Sequence, residues 1–144
     1  MCENNRQLTN ILEFMHMINI PKNLKYTAQH LWVKVEDDGF YLTGITDYAQ
    51  DLLGDIVFVD VPVIGARLTA GSSCGLVESV KTGSDLHAPL NGTVLAVNET
   101  LQSHPEQIND NPYDTWIFKF QADAAIDLSA LLDAEAYRYQ LVQS

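Results

Sequence analysis

The sequence predicts a mainly β fold, a sandwich or barrel of short strands, and two observations carry that prediction. Short runs rich in β-branched and aromatic residues recur along the chain, separated by Gly, Pro, Asn and Asp turns. No long helical segments alternate with these runs, so the pattern of a parallel α/β sheet is missing. The predicted strands span residues 31–35, 40–45, 55–61, 74–80, 85–88, 93–97 and 116–120.

The connections between these strands carry recognisable turn signals. Asp37-Asp38-Gly39 joins the first two strands, so this pair is predicted to be a hairpin. Asn91-Gly92 is a strong tight-turn signal ahead of the strand at 93–97. The strand at 55–61 is apolar on both faces and ends before Pro62, which predicts a fully buried strand.

A few segments predict helices or loops instead. Tyr26–His30 is predicted to be a short loop or a turn of helix. Asp47 is placed to cap a short helix over 48–53, which the glycine at position 54 ends. Residues 103–113 are polar, contain two prolines and predict a long loop. Residues 127–141 carry apolar side chains at helical spacing, which predicts one or two C-terminal helices.

Composition narrows the class of protein. The 144 residues suit one domain, and the 47% apolar content is enough for a core. The net charge is −11, from 19 acidic and 8 basic residues. Binding to a nucleic-acid backbone requires clustered Lys and Arg, so no nucleic-acid partner is expected. No apolar run reaches the roughly 20 residues of a membrane span, so no membrane association is expected.

The N-terminal segment looks unlike a targeting signal. Residues 1–20 have no basic start and no small-residue cleavage site, and Arg6 is their only arginine. We therefore expect a cytoplasmic protein with residues 1–20 as a poorly ordered extension and residues 21–144 as the folded domain. Cys2 and Cys74 do not suggest a disulfide framework.

The segment Glu78-Ser79-Val80-Lys81-Thr82-Gly83-Ser84-Asp85 is the strongest candidate for chemistry. It places Lys81 at the tip of a predicted hairpin, where the long side chain keeps its amine in solvent. A rigid base with an exposed amine is what a swinging cofactor arm requires. By residue type alone, an ordinary solvated turn lysine explains the same pattern, because exposed lysines are common.

Two further patterns, one typical of hydrolases and one of metal sites, are weaker evidence for function. Gly71-Ser72-Ser73-Cys74-Gly75 matches Gly-x-Ser-x-Gly with Ser73 as nucleophile, but that motif needs a helix after it, and residues 76–80 predict a strand. No catalytic residue is therefore assigned. The histidines have no partner ligand at short spacing, so no metal site is predicted. These histidines are His16, His30, His87 and His104.

The run Val77–Lys81, with Ser84-Asp85 and Ala88-Pro89, resembles the lipoylation site of glycine cleavage H proteins. Further matches to that family occur in order on both sides and extend over about residues 21–141. They are Leu24-Lys25-Tyr26-Thr27, His30, Trp32, Gly44-Ile45-Thr46, Ala49-Gln50, Leu53-Gly54-Asp55, Asn91-Gly92 through Val97-Asn98, Pro105, Ile108-Asn109, Pro112-Tyr113, Trp116–Lys119, Leu132-Asp133-Ala134 and Tyr137.

The resemblance implies a lipoyl-domain-like flattened β-barrel or sandwich, a barrel-sandwich hybrid, with short N-terminal, internal and C-terminal helices. It implies lipoate in amide linkage on Lys81, as N6-lipoyllysine. Glu78, Ser79, Val80 and Asp85 would shape recognition by the attaching enzyme, a lipoate ligase or an octanoyl or lipoyl transferase.

The resemblance also implies a carrier in glycine catabolism and one-carbon metabolism, with no activity of its own. The lipoyl arm would take an aminomethyl group from glycine decarboxylase (P protein) to the aminomethyltransferase (T protein). Dihydrolipoyl dehydrogenase (L protein) would then reoxidise the arm. A carrier that visits several enzymes is expected to be a monomer. The hard chemistry belongs to the cofactors, and the protein presents and shields the arm.

Two departures from the family concern the cleft in which the arm rests. Leu31 stands where the family usually has an acidic residue, and Leu cannot pair with a cationic amine. His30, Leu31 and Asp85 are the predicted cleft residues. The loop Pro112–Trp116 is also shorter than in the family, which either reshapes the cleft or trims a surface turn.

Two other carrier functions remain open from the sequence. H-like proteins include lipoyl relays that donate lipoyl groups to other enzymes, and such a relay would retain Lys81 as well. Biotinyl carrier domains share the general fold and use a hairpin lysine, but their lysine is typically flanked by methionines. The flanks here are Val80 and Thr82, which favours lipoate.

Overall fold

The strands of this chain form two antiparallel sheets in the computed structural model, which describes residues 18–37, 39–124 and 128–143. Neither sheet closes on itself, and the predicted mainly β sandwich is confirmed. In spatial order, the larger sheet contains β1 (Lys25–Tyr26), β2 (Leu31–Asp37), β3 (Phe40–Ile45), β9 (Phe118–Ala122), β8 (Gly92–Val97) and β5 (Arg67–Leu68). The smaller sheet contains β4 (Ile56–Asp60), β6 (Ser73–Ser79) and β7 (Gly83–His87).

Helices connect or flank these strands in the described part of the chain. They are α1 (Asp47–Leu53), α2 (Gln107–Asp110) and α3 (Ala134–Gln143), with 3-10 turns at Glu99–Gln102 and Leu128–Ala130. The internal and C-terminal helices predicted from the sequence are confirmed. Tyr26–His30 is a loop, one of the two predicted alternatives, in which the end of β1 leads into a turn. Among residues 18–24, which precede β1, the structure has no helix. Residues 1–17 lie outside the described residues.

The loop predicted at 103–113 is wrong in one part, because α2 forms within it. The cause is tertiary packing rather than local sequence. Ile108 is fully buried in the core, and Thr115 donates a hydrogen bond from Oγ1 to Gln107 O at 3.0 Å. One helical turn is unstable by itself, and these contacts supply the missing stabilisation.

The cap of α1 also differs from the prediction. Thr46 is the N-cap, and its Oγ1 accepts a hydrogen bond from the backbone N–H of Ala49 at 3.2 Å. Asp47 lies in the first turn, where a negative charge is favourable at the positive end of the helix dipole. Gly54 ends the helix as predicted, and its N–H donates to Gln50 O at 3.0 Å.

The first three residues of β2 are buried on both faces of the strand and separate two clusters of apolar side chains. Leu31 and Val33 point into a core to which both sheets contribute. Trp32, between them, belongs to a second cluster that includes Tyr26 and Tyr137 of α3. Alternating side chains of one strand therefore bury two layers, as the two-residue period of a strand allows.

Ile18 and Ile20, which precede the predicted domain boundary, are buried in the second cluster.

The strand β4 is not fully buried, contrary to the prediction. Ile56 and Val59 are buried, but Val57 is 53% exposed and Phe58 is 47% exposed. The pairing with β6 shifts register between Ile56 and Phe58. The bulge and the single core-facing side of this sheet leave apolar side chains on the surface.

Candidate functional site

Strands β6 and β7 form the hairpin that presents Lys81. Glu78 pairs with Gly83, and the turn between the strands is organised by the side chain of Ser79. Its Oγ accepts hydrogen bonds from Lys81 N at 3.2 Å and Thr82 N at 3.1 Å. The Ser79 N–H also donates to Thr82 O at 2.7 Å. A hydroxyl that bonds the backbone two and three residues ahead is a recurrent turn device, and it fixes the backbone of Lys81.

The side chain of Lys81 is exposed at the tip of this turn. Within the described part of the chain, its amine has no hydrogen-bond or ion-pair partner. The other residues predicted for recognition differ in position. Glu78 and Asp85 are exposed, and Val80 is 69% exposed, whereas the side chain of Ser79 lies inside the turn. Ser79 can therefore affect recognition only through the shape of the turn that its hydroxyl stabilises.

A cleft of about 110 Å³ lies near the hairpin, and the three residues predicted for the arm cleft all line it. Its walls are mostly apolar and come from β2, β3, α1, β6 and β7. The lining residues are Gln29, His30, Leu31, Ile45, Ala49, Leu52, Leu53, Val77, Ser84, Asp85 and Leu86. Asp85 is the only carboxylate among them.

His30 enters the cleft from a strained backbone. Its φ is +71°, a left-handed conformation that non-glycine residues rarely adopt. The imidazole is held by a chain of hydrogen bonds, with Nδ1 2.8 Å from the Tyr137 hydroxyl and that hydroxyl 2.8 Å from Thr46 Oγ1. Burial lowers the pKa of the His30 imidazole below its usual value, so the ring is neutral at neutral pH.

The lowered pKa of His30 makes a prediction about stability and pH. The unfolded imidazole takes up a proton as the pH falls below about 6.5, whereas the folded one resists protonation. The contribution of His30 to stability is therefore fully present above that pH and is lost as the pH falls through the lowered pKa of the folded imidazole. His30→Asn removes the titration, and Asn tolerates a left-handed backbone. Between about pH 7.5 and 5, the unfolding temperature of the variant should fall less steeply with pH than that of the wild type. Equal slopes of unfolding temperature against pH would contradict the lowered pKa of His30.

Leu31 forms part of the apolar wall of this cleft. Its side chain is 1% exposed, and its N–H donates to Thr27 Oγ1 at 3.1 Å. The loop Pro112–Trp116, predicted to be shorter than in the family, does not line the cleft. Pro112 O accepts a hydrogen bond from Trp32 Nε1 at 2.9 Å, and Tyr113 packs on the second cluster. The loop therefore contacts that cluster rather than the cleft.

The Gly-x-Ser-x-Gly match has no catalytic context. Ser73 begins β6, a turn precedes it, and a strand rather than a helix follows it. Cys74 packs against the core, where burial raises the pKa of its thiol to about 11. The residues that the structure describes contain no group of three or more His, Cys, Asp or Glu side chains placed to hold a metal ion.

Sequence reasoning did not assign two residues beneath the hairpin to the site. Gly54 is predicted to end a helix and belongs to the matched Leu53-Gly54-Asp55 block, but neither signal places it beside the stem of Lys81, where the structure has it. Asn109 lies in the segment predicted as a loop and bonds to the backbone on both sides of Asp55. Its position in the matched Ile108-Asn109 pair was the only signal, and that pair says nothing about contacts.

An open β-sandwich that exposes a lysine at a hairpin tip, beside an apolar cleft, has the form of a carrier-type domain. A family model described as glycine cleavage H-protein matches residues 24–144. The chain belongs to the glycine cleavage H-protein family.

Relatives named glycine cleavage system H protein agree with this family. The one from Methylobacillus flagellatus is 64% identical over 121 residues, which cover 84% of this chain and 97% of the relative. The one from Listeria monocytogenes is 55% identical, with 83% and 96% covered. A crystal structure of a glycine cleavage system H protein from Mycobacterium marinum superposes with a TM-score of 0.78 and is 40% identical, covering 85% of this chain and 99% of that one.

Among the described residues, no helix combines the length and the apolar character needed to cross a membrane.

Proposed function

We propose that this chain is the lipoyl carrier of the glycine cleavage system, with lipoate in amide linkage on Lys81 Nζ. The carrier moves the aminomethyl group of glycine from glycine decarboxylase to the aminomethyltransferase, and dihydrolipoyl dehydrogenase reoxidises the arm. One observation carries the proposal: this chain belongs to the H-protein family and exposes Lys81 at the tip of an ordered turn.

Lys81 fits covalent attachment in its charge and its surroundings. Acylation removes the positive charge of a lysine, and the described residues contain no carboxylate paired with this amine. Attachment therefore breaks no ion pair. The turn built by Ser79 holds the backbone of Lys81, and the amine at the end of its side chain stays unpaired among the described residues. When bound, lipoate supplies the disulfide that accepts the aminomethyl group, and the protein supplies presentation.

The attaching enzyme, a lipoate ligase or an octanoyl or lipoyl transferase, reads the surface of the hairpin in this proposal. Glu78, Val80 and Asp85 present exposed side chains on the turn and the strands beside it. Ser79 acts through the turn geometry, because its hydroxyl is used by the backbone. The protein works as a cytoplasmic monomer, which leaves this hairpin accessible to each partner in turn.

The cleft beside the hairpin shelters the end of the arm in this proposal. Its walls are largely apolar, with Leu31 buried in one of them. His30 is neutral and Asp85 is exposed, so charge pairing with a cationic amine rests on Asp85 alone among the lining residues. Shielding in this chain therefore depends mainly on exclusion of water by apolar contact.

Mass spectrometry of the protein isolated from its native cells tests the attachment. The expected result is a lipoyl group on the peptide that contains Lys81. A biotinyl group on Lys81 would identify the alternative carrier class. An unmodified peptide in cells that contain other lipoylated proteins would contradict both carrier functions.

The carrier role in the cycle has its own measurement. Lipoylated protein is expected to support exchange between the carboxyl group of glycine and bicarbonate in the presence of glycine decarboxylase. The unlipoylated protein is the matched control and should support none. A lipoylated protein without exchange activity would favour the lipoyl relay over the cycle carrier.

A further inference from the structure

The hairpin that carries Lys81 rests on the segment that connects α1 to β4. The N–H of Val80, the residue before Lys81, donates to Asp55 O at 3.0 Å. The stem of Lys81 crosses the adjacent glycine: a Cβ built on Gly54 would lie 3.4 Å from Lys81 Cε and 3.9 Å from Nζ. The stem of the exposed lysine thus lies near Gly54, although its amine has no polar partner in the described chain.

The backbone of Gly54 has a shape that other residues avoid. Its φ is +80° and its ψ is −156°, a region that is essentially restricted to glycine. A Cβ added there would make an ordinary contact with the stem of Lys81. Glycine is therefore favoured at this position by the local backbone, and any other residue would shift the backbone beside the lysine.

Asn109 clamps this segment from a distant part of the chain. Its Nδ2 donates to Gly54 O at 2.9 Å and to Gln50 Oε1 at 3.0 Å. Its Oδ1 accepts from Ile56 N at 2.9 Å. One amide side chain therefore holds the backbone on both sides of Asp55, the residue whose carbonyl bonds to the hairpin.

We propose that Gly54 and Asn109 are positioning residues for Lys81, and we call Gly54, Asp55, Ile56 and Asn109 the lysine platform. The platform holds the hairpin through the hydrogen bond from Val80 to Asp55, and the stem of Lys81 lies along Gly54. The amine is therefore presented in a restricted set of poses. An attaching enzyme then captures a lysine that is already oriented, which lowers the ordering cost of the encounter. This inference rests on the proposed attachment at Lys81.

A restricted pose has a kinetic signature that a purely structural role lacks. If only a fraction of molecules present Lys81 correctly, the apparent affinity of the attaching enzyme falls by that fraction. Chemistry after capture is unchanged, so KM for the acceptor protein should rise while kcat stays constant. A residue that merely stabilises the fold would lower the Tm and leave KM unchanged in the folded protein.

The first test adds a methyl group beside the stem of Lys81. Gly54→Ala places a Cβ against the Lys81 stem, and Gly71→Ala is the control, because Gly71 also has a positive φ, +82°, but open space around its Cβ. Lipoate attachment by a lipoate ligase is measured at varied acceptor concentration and below the Tm of each protein. We expect KM to rise about tenfold for Gly54→Ala, which corresponds to about 1.4 kcal/mol, and to remain near the wild-type value for Gly71→Ala.

A chemical readout in the same proteins separates pose from exposure. Acetylation of Lys81 by an activated acetate ester, measured by mass spectrometry against the exposed Lys34, needs no enzyme. We expect Gly54→Ala to be acetylated at Lys81 at the wild-type rate. A large fall in acetylation would show that the added methyl buries the amine, and it would overturn the platform as a device that orients the lysine.

The second test removes the clamp and does not depend on the folding of the glycine variant. Asn109→Ala is compared with Asn98→Ala. Asn98 is also half-buried, donates Nδ2 to Trp116 O at 2.8 Å and accepts from Thr100 N at 3.3 Å, so it is an equivalent clamp elsewhere in the fold. We expect faster hydrogen exchange of the Val80 amide and a raised KM for Asn109→Ala, and neither change for Asn98→Ala.

The outcomes separate the platform from the function on which it rests. Absence of lipoate from wild-type protein treated with active ligase would contradict attachment at Lys81 itself. Normal modification of the wild type, with unchanged KM for Asn109→Ala and an unchanged Val80 exchange rate, would overturn the platform alone. A lowered kcat at constant KM would also overturn it, because the platform acts before capture.

Discussion

Lys81→Arg is expected to abolish lipoate attachment and to leave the fold unchanged. Attachment requires a neutral amine that attacks an activated acyl group, and a guanidinium stays protonated at any physiological pH. The Lys81 side chain is exposed, and its amine has no polar partner in the described part of the chain. Its replacement therefore removes the acceptor without disturbing an ion pair.

Intact-protein mass spectrometry after treatment with a lipoate-attaching enzyme measures this effect. Lys34→Arg is the control, because Lys34 is also exposed but lies in β2, away from the hairpin. The control should be modified like the wild type, and all three proteins should unfold at similar temperatures. Lipoate on the Lys81→Arg protein would show that another lysine is the attachment site.

Lys81→Arg is also expected to abolish the carrier function in the glycine cleavage cycle. Without the arm, exchange of the glycine carboxyl group with bicarbonate in the presence of glycine decarboxylase should fall to the level seen without any carrier. Addition of free lipoate should restore little activity, because the tethered arm acts at a high effective concentration. Exchange at the wild-type level would contradict the carrier role of Lys81.

Gly92→Ala is expected to have the largest effect on stability. Gly92 begins β8 and is paired on both sides, with Leu68 of β5 and Ala122 of β9. A Cβ at this position would lie 2.2 Å from Gln121 O and 3.2 Å from Ala122 Cα, both backbone atoms of a neighbouring strand. Relief of such a clash requires the sheet to spread, so we expect a loss of about 3 kcal/mol or more, the upper end for overpacking.

Gly83→Ala is the matched control for this variant. Gly83 also begins a strand, neither glycine has a positive φ, and the nearest atoms to its added Cβ are 3.6 Å away or more. An alanine there should be neutral or should stabilise the fold by about 0.4–1 kcal/mol through the unfolded chain. Urea unfolding of both variants provides the comparison. Equal free energies of unfolding for the two variants would show that β9 moves away from the added methyl group without destabilising the sheet, and would contradict the prediction.

Gly92 shows what the sequence alone could not predict: the reason why a glycine is needed at this position. Asn91-Gly92 predicts a tight turn in which glycine is needed for its backbone freedom. The structure has a bend at residues 89–91 instead of a tight turn, Gly92 is already the first residue of β8, and its φ is not positive. Glycine is required there because β9 passes too close for a side chain. A turn motif contains no information about a strand that lies some 30 residues further along the chain.

The same limit explains the other differences between expectation and structure. The prolines of 103–113 correctly predict a break in regular structure, but α2 forms because Ile108 is buried by distant residues. The apolar residues of β4 correctly predict a strand, but Val57 and Phe58 are exposed, because only one face of the small sheet meets the core. Local pattern predicts the element, and packing decides what the element buries.

The candidate site divides in the same way. The hairpin around Lys81 was predictable, since its turn depends on contacts among residues that are adjacent in the sequence. The likeness to H proteins added lipoate attachment as the proposed role of the lysine, and the comparisons show the family. His30, Leu31 and Asp85 line one cleft, and their role toward the arm stays a prediction. The hydrogen bond from His30 to Tyr137 spans 107 residues, and no local pattern predicted it.

The sequence by itself determined the strand pattern, the hairpin and the position of Lys81 at its tip. Each of these follows from propensities and turn chemistry within a few residues. Only the tertiary structure decided what lies beneath the lysine. Asn109 reaches Gly54 across 55 positions in the chain, and the glycine lies beside a side chain of another element. Contacts of that kind exist only after both sheets and α2 have packed, because they join residues that the chain itself holds far apart.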